Sequence, residues 1–281
     1  MTSVIKRMRE KLIIFTDLDG TLLDLETYSF KPAMAALRLI KKKGIPLILC
    51  SSKTGVEIEY YRKKLANKHP FISENGGGIF IPKDYFEFKI QYSEFKIRKR
   101  GEYFVICLGV PYPRLREVLS ELRTEGFDVV GFGDMSAREV AELTGLSISE
   151  ARRSKEREFD EPFIFKGDKA SLKRLKACIK AKGFNFTEGE FCHITGNTNK
   201  GRAVEILKRL YNQQYRGVIT VALGDSPNDI EMLEKVEYPV IVMKPDGRYD
   251  RRIKIKNLIK ANGVGPEGWN RAIIKLLLEI T

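Results

Sequence analysis

Cysteine and histidine are scarce in this chain: four of the first and two of the second in 281 residues. Cys50, Cys107, Cys178 and Cys192 show no C-x-x-C spacing and lie in apolar or helical patterns, so buried free thiols are expected rather than a disulfide framework. Only Cys50 stands beside a candidate site loop, where a redox role is conceivable. His69 and His193 are too few and too far apart in sequence to frame a zinc site. No apolar run approaches the roughly 20 residues needed to span a bilayer. The basic start, Met1 to Lys11, leads into a short apolar stretch that meets Asp17 at once, which argues against a secretory signal. A cytoplasmic protein with no membrane partner is therefore expected. No G-x-x-x-x-G-K-[ST] occurs, so a Walker-type ATPase is unsupported. Gly263 to Gly268 fits G-x-G-x-x-G, but Pro266 interrupts the turn and no room remains for a following βαβ unit.

What is present begins with a globular composition, 43% hydrophobic and 31% charged, on a chain long enough to bury a core without staples. The formal charge of +13 is the one feature that competes with an enzyme reading, since basic proteins bind nucleic acid through its phosphates. Yet Lys and Arg are spread along the chain, the densest tracts being Lys41 to Lys43 and Lys96 to Arg100, and no nucleic-acid-binding motif is found. A positive field also speeds encounter with a small polyanionic substrate, and that is the expected partner instead. Abundant Lys, Arg and Glu also fits a thermophile.

The most informative stretch is Phe15-Thr16-Asp17-Leu18-Asp19-Gly20-Thr21, which sets two carboxylates after the apolar run Leu12 to Phe15. If the strand runs on through them, Asp17 and Asp19 point the same way. Acids so close persist when a cation, a shared proton or hydrogen bonds compensate, a divalent metal being the simplest of these. An Asx-type turn capping the next segment is the alternative. A second strand-like run, Val218 to Leu223, ends in Gly224-Asp225-Ser226-Pro227-Asn228-Asp229. In an open parallel sheet such termini converge outside the carboxyl ends of the strands, and Mg2+ suits an all-oxygen set. Ile45 to Cys50 runs into Ser51-Ser52-Lys53-Thr54, whose hydroxyls and N–H groups suit phosphate oxygens. Lys200 opens a helix expected from Arg202 to Leu210 and supplies positive charge.

From Leu12 to about Pro82, short apolar runs alternate with amphipathic segments, which is βαβ punctuation and implies a parallel sheet. After Pro82 the rhythm changes to mixed strands and helices, and the first pattern resumes at Lys200. The expected organisation is an α/β core over residues 1–83 and 197–281, with an inserted α+β unit over 84–196 acting as a lid.

The order strand-DxDGT, strand-Ser, Lys before a helix and strand-GDxxND resembles the haloacid dehalogenase (HAD) superfamily of phosphohydrolases. Ser51 to Thr54, Phe71 to Gly78, Gly131 to Ser136, Arg157 to Phe163 and Gly265 to Trp269 resemble, more narrowly, the mannosyl-3-phosphoglycerate phosphatases. The resemblance implies a Rossmann-like core with a C2-type (C2B) cap. It also implies a Mg2+-dependent hydrolysis in which Asp17 is the nucleophile, forming an aspartyl phosphate, and Asp19 is the general acid and base. Asp225 and the backbone carbonyl of Asp19 would join Asp17 as metal ligands, with Asp229 on or just behind the ion. Ser51 and Lys200 would hold phosphoryl oxygens. Asp19 also favours phosphate esters over halides, whose departure needs no proton; phosphomutases share the pair and are set aside on the cap resemblance alone. The implied substrate is a phosphorylated glycoside, mannosyl-3-phosphoglycerate, with glucosyl and sucrose phosphate analogues as alternatives.

For that substrate Arg157 suits the carboxylate, against a plain pairing with Glu158 or Glu161. Glu74 and Asn75 are candidates for sugar hydroxyls or for orienting Lys200, against a turn-forming role. Asp134, Met135 and Ser136 form a loop able to close on the glycoside, against helix N-capping by Asp134 or Ser136. Thr21, Ser52, Lys53 and Asn228 complete the candidate substrate-binding set.

Overall fold

The computed structural model describes residues 10–87 and 95–280; the basic segment before Glu10 lies outside them. In chain order the first part comprises β1 (Lys11–Thr16), α1 (Met34–Lys43), β2 (Leu47–Cys50), α2 (Gly55–Leu65), β3 (Phe71–Ser73) and β4 (Gly78–Pro82), followed by β5 (Ile97–Arg100) and β6 (Tyr103–Cys107). The middle comprises α3 (Tyr112–Thr124), β7 (Val129–Gly131), α4 (Ala137–Thr144), α5 (Ile148–Ser154), β8 (Asp160–Phe165), α6 (Lys169–Ala181), β9 (Asn185–Glu188) and β10 (Cys192–Thr195). The last part is α7 (Lys200–Gln214), β11 (Val218–Gly224), α8 (Ile230–Leu233), β12 (Tyr238–Met243), β13 (Ile259–Val264) and α9 (Gly265–Ile280).

The described strands form a nine-stranded sheet, ordered β13-β12-β11-β1-β2-β3-β4-β6-β5, and a four-stranded sheet, β7-β8-β10-β9. From β13 to β3 all pairings are parallel, as the βαβ rhythm requires. β1 lies in the middle, flanked by β11 and β2, so the motifs that end these three strands are neighbours at one edge of the sheet. Both faces are covered: Leu12 and Ile14 look into one apolar layer with Trp269, while Ile13 and Phe15 look into the other with Leu207. Double coverage explains why β1 reads as an unbroken apolar run rather than an alternating one.

The four-stranded antiparallel sheet packs against α3 and α6 through Leu115, Leu119, Phe163, Leu175 and Ile179 and has its own core. This is the expected α/β core with an inserted α+β cap. Its boundary differs from residue 84, however. β6 pairs antiparallel with β4 and β5 pairs antiparallel with β6, extending the large sheet, so the cap's own sheet begins only after Cys107. Pairing in the large sheet already turns antiparallel between β3 and β4, and after Pro82 the antiparallel edge continues through β6 and β5 before the cap's own sheet begins.

Local signals set the helices as their residues dictate. Gly44 closes α1 in the left-handed conformation, at φ 61°. Thr54 and Glu57 form a capping box that starts α2, and Ser136 with Glu139 and Ser147 with Glu150 do the same for α4 and α5. α7 starts at Lys200, two residues before the expected position, because the Asn199 side chain caps it by accepting from Arg202 N–H at 2.9 Å.

Candidate active site

The carboxyl ends of β1, β2 and β11 converge on Asp17. Its Oδ1 accepts from Lys200 Nζ at 2.6 Å, and the same ammonium donates to Asp229 Oδ1 at 2.7 Å. Lys200 and Asp229 are fully buried and Asp17 nearly so. Asp229 Oδ2 accepts from the N–H groups of Asp225 and Ser226 at 3.1 and 3.2 Å, which fixes the loop after β11. Thr21 Oγ1 donates to Asp225 Oδ1 at 3.4 Å, tying the loop after β1 to that after β11. Gly20, at φ +73°, makes the turn between them; a Cβ there would sit 3.0 Å from Asp225 Oδ2.

Electrically the cluster is short of positive charge. Oxygens of Asp17, Asp225 and Asp229 lie within 4.8 Å of one another, with one lysine among them. Burial raises Asp17 well above the usual carboxylate range, Lys200 opposing and Asp229, Asp225 and Asp19 reinforcing. Burial, with Asp229 beside it, lifts Asp225 to about 6. Burial alone would lower Lys200, but Asp17 and Asp229 outweigh it and hold its charge. Three close carboxylates facing one ammonium fit a divalent cation, and all their donor atoms are oxygen.

Asp19 stands at the rim. Its Oδ2 pairs with Lys53 Nζ at 3.1 Å, while its Oδ1 is buried without a hydrogen-bond partner. Ser51 is buried, and its Oγ accepts from Lys53 N–H at 3.2 Å, shaping the turn after β2. Cys50 lies beneath this turn, fully buried. Burial pushes its thiol up, which removes the thiolate that redox chemistry needs.

The remaining candidates take other places. Arg157 forms neither expected pairing: it donates to Asp160 Oδ2 at 3.3 Å and to the carbonyls of Ser52 and Ser154 at 2.9 and 2.7 Å, which ties cap to core. Glu158 instead meets Arg98 and Arg100 of β5, and Glu161 meets Arg116 at 2.7 Å. Glu74 is fully buried and turned toward the cap, accepting from Glu158 N–H at 3.0 Å and Phe159 N–H at 2.7 Å rather than from Lys200. Burial lifts its carboxyl to about 8. Asn75 Oδ1 accepts from Asn228 Nδ2 at 3.2 Å at the exposed edge.

In the cap loop the capping alternative is realised. Ser136 caps α4, and Asp134 accepts from Gly131 N–H at 2.8 Å and pairs with Arg116 and Arg123. Met135 packs against the small Phe132, Val140 and Ala151 cluster. The bracing role of two residues was not read from the sequence. Trp269 Nε1 donates to Thr16 Oγ1 at 3.0 Å, and Thr16 Oγ1 donates to the carbonyl of Asp17 at 2.7 Å, so α9 braces the strand end that carries Asp17. The position of Thr16 directly before Asp17 was the available signal.

A protein from Bacteroides thetaiotaomicron, described as one of the phosphatases of the HAD enzyme superfamily, has the same fold: TM-score 0.66 over 100% of this chain and 99% of that one, at 16% identity. Residues 14–105 and 140–246 match the haloacid dehalogenase-like hydrolase family, and the chain belongs to that family. It is 48% identical over 269 residues to a glucosyl-3-phosphoglycerate/mannosyl-3-phosphoglycerate phosphatase of Methanococcoides burtonii, covering 95% of this chain and 97% of that protein. To a mannosyl-3-phosphoglycerate phosphatase of Pyrococcus furiosus it is 37% identical, over 82% of this chain and 90% of the other.

Proposed function

We propose that this enzyme is a Mg2+-dependent phosphatase that hydrolyses mannosyl-3-phosphoglycerate, and its glucosyl analogue, to the glycosylglycerate and phosphate. The observation that carries the reading is the buried Asp17, held by Lys200 at 2.6 Å at the mouth of β1, with the unpaired Oδ1 of Asp19 beside it under a cap. Breadth across the two sugars is favoured by the 48%-identical relative, whose name includes both.

Asp17 and Asp225 would hold Mg2+, with Asp229 anchoring the loop that carries Asp225, and the ion would offset the negative charge of the phosphoryl group. Asp17 attacks phosphorus in line, forming a P–O bond as the bond to the glycerate oxygen breaks. Asp19 gives its proton to that departing oxygen, then takes one from the water that attacks the aspartyl phosphate and restores Asp17. Lys200 has three donors and spends two on carboxylates, so the third is free for a phosphoryl oxygen. The cap keeps bulk water from the acyl phosphate while the leaving group is in place.

Phosphate release should be measured on mannosyl- and glucosyl-3-phosphoglycerate, sucrose phosphate and simple sugar phosphates, with Mg2+ and with chelator. The expected result is strong preference for the two phosphoglycerate esters, lost with chelator or with Asp17→Asn. Equal rates across the panel would overturn the substrate assignment.

A further inference from the structure

Arg157 was the sequence's candidate for the substrate carboxylate, and the structure commits it to the joint between cap and core. A second arginine of the same cap segment occupies a different position. Arg153, near the end of α5, looks into a pocket shared with Tyr28, Lys53, Glu57, Tyr60, Tyr61, Leu146 and Glu150, between cap and core. Lys53 both lines this pocket and pairs with Asp19 at 3.1 Å, so the pocket adjoins the proposed general acid.

The charges around the pocket are spent unevenly. Glu57 closes the capping box of α2, its carboxylate accepting from Thr54 N–H at 2.8 Å. Glu150 closes that of α5, accepting from Ser147 N–H and Oγ at 3.0 and 2.6 Å. Lys53 is shared between Asp19 at 3.1 Å and Glu57 at 3.9 Å. Arg153 is half-buried, with its guanidinium carbon 4.3 Å from the centre of the Tyr60 ring; after the Ser147 hydrogen bond, its charge helps hold the Glu150 carboxyl below the usual range, but it forms no ion pair within 4.0 Å among the described residues. Stacking fixes the plane of the guanidinium and leaves its N–H edge for a planar anion. Thr54 Oγ1 donates to the Arg153 carbonyl at 2.9 Å, which ties this point of the cap to the loop that carries Ser51 and Lys53.

We propose that Arg153 is the specificity-determining cation of the cap, gripping the carboxylate of a phosphoglycerate leaving group; the inference rests on the substrate class proposed above and adds the residue that reads it. A carboxylate two carbons from the phosphate-bearing carbon is what separates this class from ordinary sugar phosphates. The pocket admits little more than a water with the cap seated, so the carboxylate is held with α5 displaced from α2 and Arg153 facing it across the widened cleft.

The test compares the unsubstituted protein with Arg153→Met, Arg153→Lys and, as a control, Arg152→Met, which alters an exposed neighbour. Inhibition of p-nitrophenyl phosphate hydrolysis is measured with 3-phosphoglycerate and with glycerol 3-phosphate, which differ only in the carboxylate. Arg153→Met should weaken 3-phosphoglycerate inhibition about tenfold or more, as loss of a charge-assisted pair predicts, and leave glycerol 3-phosphate inhibition within about twofold. Arg153→Lys should restore part of the difference, and Arg152→Met should behave as the parent. Equal weakening of both inhibitors, or of neither, overturns the proposal. KM for the two glycosyl esters is measured alongside. If the parent cleaves p-nitrophenyl phosphate but neither glycosyl ester, the substrate reading has failed, whereas parent turnover that Arg153→Met leaves unchanged refutes the role of Arg153 alone.

Discussion

Replacing Lys200 by Met removes the only ammonium among the described residues that touches both Asp17 and Asp229 and keeps most of the aliphatic stem, so the loss is electrostatic rather than a cavity. At contacts of 2.6 and 2.7 Å and an effective dielectric of about 20, each pair contributes about 6 kcal/mol of gross attraction. Desolvation of the buried lysine, several kcal/mol, offsets much of this, and the measured cost of breaking such a pair is about 3–5 kcal/mol. For a chain of this size that cost lowers Tm by about 6–20 °C. Thermal unfolding of parent and variant in chelator-treated buffer reads the effect directly. Asp17→Asn with Lys200→Met should cost clearly less than the sum of the two single changes, because the second substitution removes the charge that the first left exposed. A Lys200→Met protein melting within about 2 °C of the parent would show that the buried carboxylates do not depend on this ammonium, and the charge account of the site would fall.

Three further outcomes are expected. Asp19→Asn should lower kcat about 100- to 10,000-fold on a glycosyl ester, yet still release about one equivalent of p-nitrophenol per enzyme in a rapid burst, since that leaving group needs no proton and only the second step stalls; a slow linear release with no burst would remove Asp19 from the second step. Gly76→Ala places a Cβ 2.1 Å from the carbonyl oxygen of Asn199 at a backbone φ of +91°, so it should cost at least about 2 kcal/mol in urea unfolding and lower kcat by shifting the start of α7 and Lys200; a parent-like kcat would mean that Asn199 does not set the position of Lys200. Burial, helped by Lys11 and Arg62, lowers His69 to about 4 from 6.5, so the stability it contributes is present above pH 6.5 and is lost as pH falls toward 4, by at most about 3 kcal/mol; a stability profile no flatter in His69→Gln over that window would refute the assignment.

The sequence made the core site legible because its chemistry is written next to strand ends. Asp17, Ser51 and Asp225 each follow an apolar run within a few residues, and parallel pairing of β1 with β2 and β11 places those ends together. Lys200 was legible for a related reason, since a residue at the first turn of a helix packed on the sheet is carried to the same edge. The inserted cap was visible as a change of rhythm, but its first boundary was not. The antiparallel pairing of β4 with β6 has no local signature that separates it from a strand of another sheet. Trp269 was marked only as part of a motif, and its place at the site was not legible because its hydrogen bond to Thr16 spans 253 residues, farther than any spacing rule reaches.

The motifs that suggested sugar recognition lie instead at a joint. Ser52 contributes a carbonyl to Arg157, Glu74 receives the N–H groups of Glu158 and Phe159, and Glu158 pairs with β5. Residues from three separate stretches are thus used to seat the cap. A buried carboxylate bonded to backbone N–H groups of the other unit is a demanding contact, since withdrawal leaves those groups unpaired until water reaches them. Such a joint fixes where the cap returns after each opening and therefore where α5 meets α2. The side chains that face the leaving group can then be few, and they need not belong to the stretches that make the joint. Truncating Glu74 should accordingly impair every substrate alike through cap seating, whereas truncating Arg153 should impair only those that carry a carboxylate. The inhibition assay with 3-phosphoglycerate and glycerol 3-phosphate separates the two; a Glu74→Ala protein that discriminates between these ligands differently from the parent would show that seating and recognition are not divided in this way.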